Sequence, residues 1–286
     1  MTIQEARKLL TGNLTTIYSP GEAEYMAEWV MEHVTGLDKK SRIAATNMDL
    51  TGMQADQLKK AITRLIAHEP VQYVLNECWF CGFKFYVDKN VLIPRPETEE
   101  LVEWIISNLK FPLKKLNILD IGTGSGCISI ALKRKIRKAE LWSCDISEPA
   151  LRVARSNAET LGAAINFELL DFLNGGERNR LPVFDIIVSN PPYVPQKDKI
   201  QMRSNVRDYE PPAALFVPDN DPLIFYKAIA DFGRTHLVPT GNIFLEIHED
   251  YANDIKTLFL SKGYLSAEIK RDMQEKERMA KIVYGL

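Results

Sequence analysis

Two short segments carry residue types and spacings suited to chemistry. The first is Leu119-Asp120-Ile121-Gly122-Thr123-Gly124-Ser125-Gly126, placed where an apolar strand gives way to a helix. Glycines at 122, 124 and 126 remove the Cβ atoms that would keep a ligand off the backbone. Asp145 ends the next apolar run, 23 residues after Gly122. An acid at that place in a doubly wound fold hydrogen-bonds ribose hydroxyls. A dinucleotide fingerprint needs G-x-G-x-x-G, and the third residue after Gly124 is Cys127. The G-x-G-x-G spacing suits a nucleoside without a pyrophosphate.

The second segment is Asn190-Pro191-Pro192-Tyr193, which follows the apolar run Asp185–Ser189. In open α/β sheets, ligands bind beyond the carboxyl ends of the strands. Two prolines fix two φ angles and remove two N–H donors. What remains is an acceptor-rich rim made by the Asn190 side-chain oxygen and the Pro191 carbonyl, with the Tyr193 ring alongside. Such a rim suits a planar NH₂ group: two acceptors take its hydrogens and steer the nitrogen toward an electrophile. The plain reading of the segment alone is a proline-rich turn; beside the glycine loop and Asp145, the ligand reading is favoured.

The elements that must position these segments follow from periodicity. In residues 1–76, apolar positions recur at helical spacing, as in Tyr25, Met26, Trp29, Val30 and in Leu58, Ile62, Leu65, Ile66. Ser19 with Glu22, and Thr51 before a helix over 54–68, have the form of helix starts. Aromatic and β-branched residues over 78–93 predict a short hairpin joining two domains. From residue 97, strands at 117–121, 141–144, 184–189 and 242–247 alternate with helices at 125–135, 149–161, 223–236 and 251–262. That alternation predicts a parallel sheet with helices on both faces, hence an α/β fold. The expected domains are a helical module over 1–77, a hairpin linker over 78–96, and an α/β domain over 97–286.

Length and composition agree with this. At roughly 150 residues per domain, 286 residues suggest two domains. The chain is 45% hydrophobic and 26% charged, which excludes global disorder. Its 36 Lys+Arg against 38 Asp+Glu leave a net charge of −2, which argues against a general nucleic-acid binder. Residues 1–76 carry eight Lys+Arg and nine Asp+Glu, so the helical module is not basic either. No signal peptide or apolar run long enough to span a membrane is visible, and four cysteines make no disulfide framework. A cytoplasmic setting and no membrane association are expected.

With these residues in view, the chain resembles the protein-(glutamine-N5) methyltransferases that act on class I peptide chain release factors. The resemblance rests on Glu69–Tyr73, Val91–Glu99, the glycine loop, Asn190–Tyr193, Tyr209-Glu210-Pro211 with Ala214-Leu215, and Phe244–Ile247. It implies a Rossmann-like class I methyltransferase sheet with a small N-terminal all-α domain. It also implies S-adenosyl-L-methionine as methyl donor, S-adenosyl-L-homocysteine as product, no metal, and the glutamine of a Gly-Gly-Gln loop as acceptor. By the same resemblance, Gly122, Thr123, Gly124, Ser125 and Gly126 hold the methionine part of the donor and Asp145 its ribose. It further implies that Phe172 contacts the adenine, and that Asn190, Pro191, Pro192 and Tyr193 bind the glutamine amide, with Asn190 also bordering the donor. The partner implied is a release factor, with no direct nucleic acid, recognised by the helical module of a monomeric enzyme. Two other functions share these motifs: an adenine-N6 DNA methyltransferase acting on a flipped base, and a donor-binding adaptor without turnover.

Several features stand apart. His248 and Asn76 occupy positions where the family usually has glycine. Cys78-x-x-Cys81 lacks a second ligand pair and reads as structural thiols. The four histidines are scattered and indicate no metal site. Pro94–Glu99 reads either as a loop entering an acid-rich first helical turn or as a substrate-side segment through Arg95 or Glu97. Lys270, Arg271, Lys276, Arg278 and Lys281 are expected on a solvated face.

Overall fold

The computed structural model describes residues 1–109 and 115–285, so residues 110–114 and 286 of the predicted 97–286 span lie outside the described residues. The chain divides into two compact units, Met1–Glu77 with Arg203–Tyr209, and Cys78–Met202 with Glu210–Leu286.

The first unit contains α1 (Ile3–Leu14), α2 (Pro20–Thr35), α3 (Lys39–Ala44), α4 (Gly52–Ile66) and α5 (Val71–Leu75). Three of them begin with a reciprocal capping box: Thr2 with Glu5, Ser19 with Glu22, and Thr51 with Gln54. Each cap is worth about 1 kcal/mol, which offsets the orphaned N–H groups of short helices. Their apolar stripes meet around Leu10, Leu14, Val30, Leu58 and Leu65. Glu69 holds Arg64, whose guanidinium also donates to the carbonyls of Tyr73 and Val74 and so caps the end of α5. Asn76 follows with φ 55° and ψ 37°. That left-handed conformation is one that glycine adopts freely and asparagine enters at modest cost. The short segment Arg203–Tyr209 belongs to this unit, with the Tyr209 hydroxyl donating to the Ala67 carbonyl.

The second unit opens with an antiparallel hairpin of β1 (Cys78–Phe80) and β2 (Phe83–Phe85). After α6 (Pro96–Ser107) come β3 (Asn117–Ile121), α7 (Cys127–Lys135), β4 (Glu140–Asp145), α8 (Glu148–Thr160), β5 (Asn166–Leu169) and β6 (Phe184–Ser189). A small parallel pair, β7 (Val194–Pro195) and β8 (Phe216–Val217), is followed by α9 (Ile224–His236), β9 (Leu237–Glu246), α10 (Ala252–Ser261), β10 (Ser266–Arg271) and β11 (Glu277–Val283).

Seven strands form one sheet in the order β10-β11-β9-β6-β3-β4-β5. Six of them point the same way, and β11 is inserted antiparallel between β9 and β10. The expected parallel sheet with helices on both faces is present, and a single antiparallel strand is added near one margin. Side chains alternate across the sheet, as a period of two requires. Ile118, Ile186, Val188 and Phe244 pack with residues of α6, α7 and α8 on one face. Leu119, Ile121, Ile187 and Leu245 pack with residues of α9 and α10 on the other.

Candidate active site

Register brings the chemical residues into one row. Ile121 on β3 lies opposite Cys144 on β4 and Ser189 on β6, and Ser189 lies opposite Leu245 on β9. One residue further along, at the carboxyl ends, come Asp145, Gly122, Asn190 and Glu246. Adjacent strands are about 4.8 Å apart, so residues remote in sequence become neighbours. The Ser189 hydroxyl donates to the Ile121 carbonyl at 2.7 Å, tying the exits of β3 and β6 together.

The loop after β3 is held from below and from the side. Gly122 and Thr123 donate their N–H groups to the Cys144 carbonyl at 2.9 and 3.0 Å. The Thr123 hydroxyl donates to buried Asp120 at 2.6 Å. Gly124 donates its N–H to Asp145 Oδ2 at 2.9 Å, and Ser147 donates to Asp145 Oδ1 at 2.9 Å. Gly122 and Gly124 have φ of +73° and +54°, and among the described residues nothing stands within 4 Å of where their Cβ atoms would lie. Gly126 differs, since a Cβ there would meet Ile130 at 3.0 Å and Ala154 at 3.2 Å. It is the close-packing glycine at the start of α7.

A cavity of about 330 Å³ opens over this row. Gly122, Gly124 and Asp145 line one part, Phe172 with Leu170 an apolar part, and Asn190, Pro191 and Pro192 the rim. Burial raises the Asp145 carboxyl, against the lowering effect of N–H bonds from Ser147, Gly124 and Ile146. The Phe172 ring stands edge-on to Phe232 at 5.2 Å, which locks it in place. Thr123, Ser125, Gly126 and Tyr193 are not among the lining residues. Thr123 and Ser125 are buried in the loop's interior, and Tyr193 turns its hydroxyl to Glu246 at 3.0 Å.

Glu246 was not singled out by sequence as a site residue, nor was Thr98. The Asn190 amide Nδ2 donates to Thr98 Oγ1 at 3.1 Å, and the Thr98 hydroxyl donates to Glu246 Oε2 at 2.6 Å. Glu246 is buried, and burial raises its carboxyl while the bonds from Thr98 and Tyr193 and the charge of Arg278 oppose the rise. The available signal was one acid inside the apolar run Phe244-Leu245-Glu246-Ile247, because an unpaired carboxylate is seldom fully buried.

The set-apart features find places. His248 has φ −74°, caps the turn after β9 by accepting from the Asp250 N–H at 3.2 Å, and lies edge-on to Tyr193. Arg95 pairs with buried Glu210, which also accepts the Ile93 N–H at 3.2 Å. Glu97 and Glu99 stand in the first turn of α6, where Glu99 accepts the Cys81 N–H at 2.8 Å. Burial pushes the Cys78 and Cys81 thiols up to about 12. The basic C-terminal cluster is not a uniformly solvated face. Arg278 is largely buried and donates at 3.2 Å to Asp272, which lies in the turn joining β10 to β11 and accepts the Gln274 and Lys276 N–H groups.

Fold and site together define a class I methyltransferase domain. The 16S rRNA N2 G1207 methyltransferase of T. thermophilus, solved with AdoMet and guanosine, shares this fold at TM-score 0.52 and 17% identity, over 73% of this chain and 50% of that one. Two family models match: the PrmC N-terminal domain over residues 3–75 and the Methyltransferase small domain over residues 99–206. The release factor glutamine methyltransferase of Flavobacterium psychrophilum is 38% identical over 99% of both chains. That of Bacteroides thetaiotaomicron is 39% identical over 93% of this chain and 95% of its own. The chain belongs to the release factor glutamine methyltransferase family.

Proposed function

We propose that this chain transfers a methyl group from S-adenosyl-L-methionine to the side-chain N5 of the glutamine in the Gly-Gly-Gln loop of class I peptide chain release factors. The observation that carries the reading is that Asn190, Pro191 and Pro192 line the same cavity as Gly122, Gly124 and Asp145. The names of the full-length relatives support it.

The cavity suits such a donor. Open space above Gly122 and Gly124 would be filled by any Cβ, which is what a close backbone approach requires. Asp145 takes the Gly124 N–H on Oδ2 and the Ser147 N–H on Oδ1, and its carboxylate, with about four acceptor sites, still has capacity for a ribose hydroxyl. Leu170 and Phe172 offer an apolar slot for a base. Thr123, Ser125 and Gly126 hold the loop in shape. The donor supplies an electrophilic methyl on a sulfonium.

The chain's own residues then have to place a weak nucleophile. With Nδ2 committed to Thr98, Asn190 keeps Oδ1 to accept one amide hydrogen, and the Pro191 carbonyl takes the other. Pro191 and Pro192 stiffen the rim, and Tyr193 braces it through Glu246. Fixing the amide in this way supplies rate by orientation, with effective molarities on the order of 10⁵ M available to well-aligned groups. No strong base is needed, because the methylated amide nitrogen loses its proton readily. In this reading residues 1–77 recognise the release factor, 78–96 form the linker, and 97–286 carry the chemistry of a cytoplasmic monomer that contacts no nucleic acid directly.

The test is label transfer from radiolabelled S-adenosyl-L-methionine to a release factor, to its Gln→Ala variant in the Gly-Gly-Gln loop, and to duplex DNA. The expected result is label on the intact release factor alone, abolished by Asn190→Ala. Label on DNA would replace this reading with base methylation. Donor binding without label anywhere would leave an adaptor.

A further inference from the structure

The cavity rim is backed by a buried chain of directional hydrogen bonds that no sequence motif predicted. Asn190 Nδ2, Thr98 Oγ1, Glu246 Oε2, Glu246 Oε1 and the Tyr193 hydroxyl follow one another at 3.1, 2.6 and 3.0 Å between successive residues. Glu246 accepts on both oxygens. A threonine hydroxyl has one hydrogen, so once it is given to Glu246, Thr98 can only accept from Asn190. A primary amide offers an acceptor on one side and donors on the other, and the two ends have nearly the same shape. Sterics alone would leave either orientation open.

We propose that Thr98 and Glu246 are positioning residues that set the flip of the Asn190 side chain, turning its NH₂ inward and leaving Oδ1 as the acceptor on the rim. The inference rests on Asn190 receiving the substrate amide, as proposed above. It adds the reason that Asn190 presents oxygen rather than nitrogen to an NH₂ group. Were the amide reversed, a donor would face a donor, and the nucleophile would lose the contact that orients it. Neither Thr98 nor Glu246 lines the cavity, so both act through Asn190 and Tyr193. Register supplies the arrangement: Leu245 pairs with Ser189, so the residue after each comes to the same row. Thr98 reaches that row from the first turn of α6 and is itself buried.

The experiment compares Thr98→Val, which keeps shape and loses the hydroxyl, with Thr98→Ser, which keeps the hydroxyl. Turnover on a release factor, KM for it, and calorimetric affinity for S-adenosyl-L-homocysteine are measured on the full chain. Thr98→Val is expected to lose about tenfold or more in kcat, the effect of about 1.4 kcal/mol on a barrier, with nucleoside affinity held within about twofold. Thr98→Ser is expected to recover most of the loss. Thr98→Ala takes the place of the valine variant should that one fail to fold. Wild-type kcat in the variant lacking the hydroxyl would overturn the inference, as would equal losses in the serine variant or a parallel loss of nucleoside affinity. A wild-type chain that labels no release factor overturns the substrate reading itself, which is a separate result.

Discussion

Asp145 accepts the Gly124 N–H on Oδ2 at 2.9 Å, so the acid at the end of β4 holds the turn that follows β3. Its other oxygen takes the N–H of Ser147 and thereby seats the start of α8. One carboxylate thus shapes the loop and keeps lone pairs for a ligand. Asp145→Ala should leave the fold intact and weaken S-adenosyl-L-homocysteine binding by about tenfold or more, roughly 1.4 kcal/mol. Calorimetry decides it, and unchanged affinity would remove Asp145 from the donor site.

The glycines of the loop separate by role. Gly124→Ala puts a methyl group into open cavity space at φ +54°, so it should cost about 1–2 kcal/mol of stability and abolish most donor binding. Gly126→Ala forces a methyl against Ile130 and Ala154 at φ +81°, adding about 1–3 kcal/mol of overpacking. Its melting temperature should therefore fall further than that of Gly124→Ala. The reverse order would contradict the assignment of Gly126 to packing.

Asp120 gives a pH dependence with a definite sign. Burial raises its carboxyl from 3.8 to about 6, against hydrogen bonds from Thr123 and Ser129. The folded state therefore holds the proton more tightly, and stability falls as pH rises from about 4 to about 6. The loss is about 2 pH units at 1.36 kcal/mol each, or on the order of 3 kcal/mol. Urea unfolding of the wild type and Asp120→Asn at pH 4.5 and 7 should show the variant gaining relative stability at the higher pH. Parallel behaviour at both pH values would count against a buried, titrating Asp120.

Local pattern was legible because it depends on neighbours in sequence. The strands at 117–121 and 184–189 fall where alternation and apolar runs place them, and the capping boxes at Ser19 and Thr51 are formed. Strands β10 and β11 escaped because they lie in charge-rich sequence, where Glu268, Lys270, Arg271, Glu277, Arg278 and Lys281 interrupt the apolar signal. Strand β5 is short and mostly exposed, so its apolar signal is weak. In the site, the glycine loop, Asp145 and the asparagine rim carry local signatures. Thr98 and Glu246 do not, because their partnership spans 148 residues and exists only where the first turn of α6 meets the end of β9.

The pair of Arg95 and Glu210 has a separable energetic signature. Glu210 is buried, and its carboxyl also accepts the Ile93 N–H, so Arg95→Leu leaves a charge without its counterion. The expected loss is about 2–3 kcal/mol, with part of it regained in Arg95→Leu/Glu210→Gln, where no charge is left behind. Chemical denaturation of the single and double variants forms the cycle. A double variant whose loss equals the sum of the losses of Arg95→Leu and Glu210→Gln would show that the two residues act independently.

The outermost strands of the large sheet are β5 and β10. One reads Asn166-Phe167-Glu168-Leu169 and the other Ser266-Ala267-Glu268-Ile269-Lys270-Arg271. Charged side chains interrupt both margins, and the β10 partnership shifts register between Lys270 and Arg271. Neither margin offers a flat apolar rail for a strand of another molecule. A protein built around a wide, strongly hydrophobic sheet thereby carries its own protection against end-to-end polymerisation.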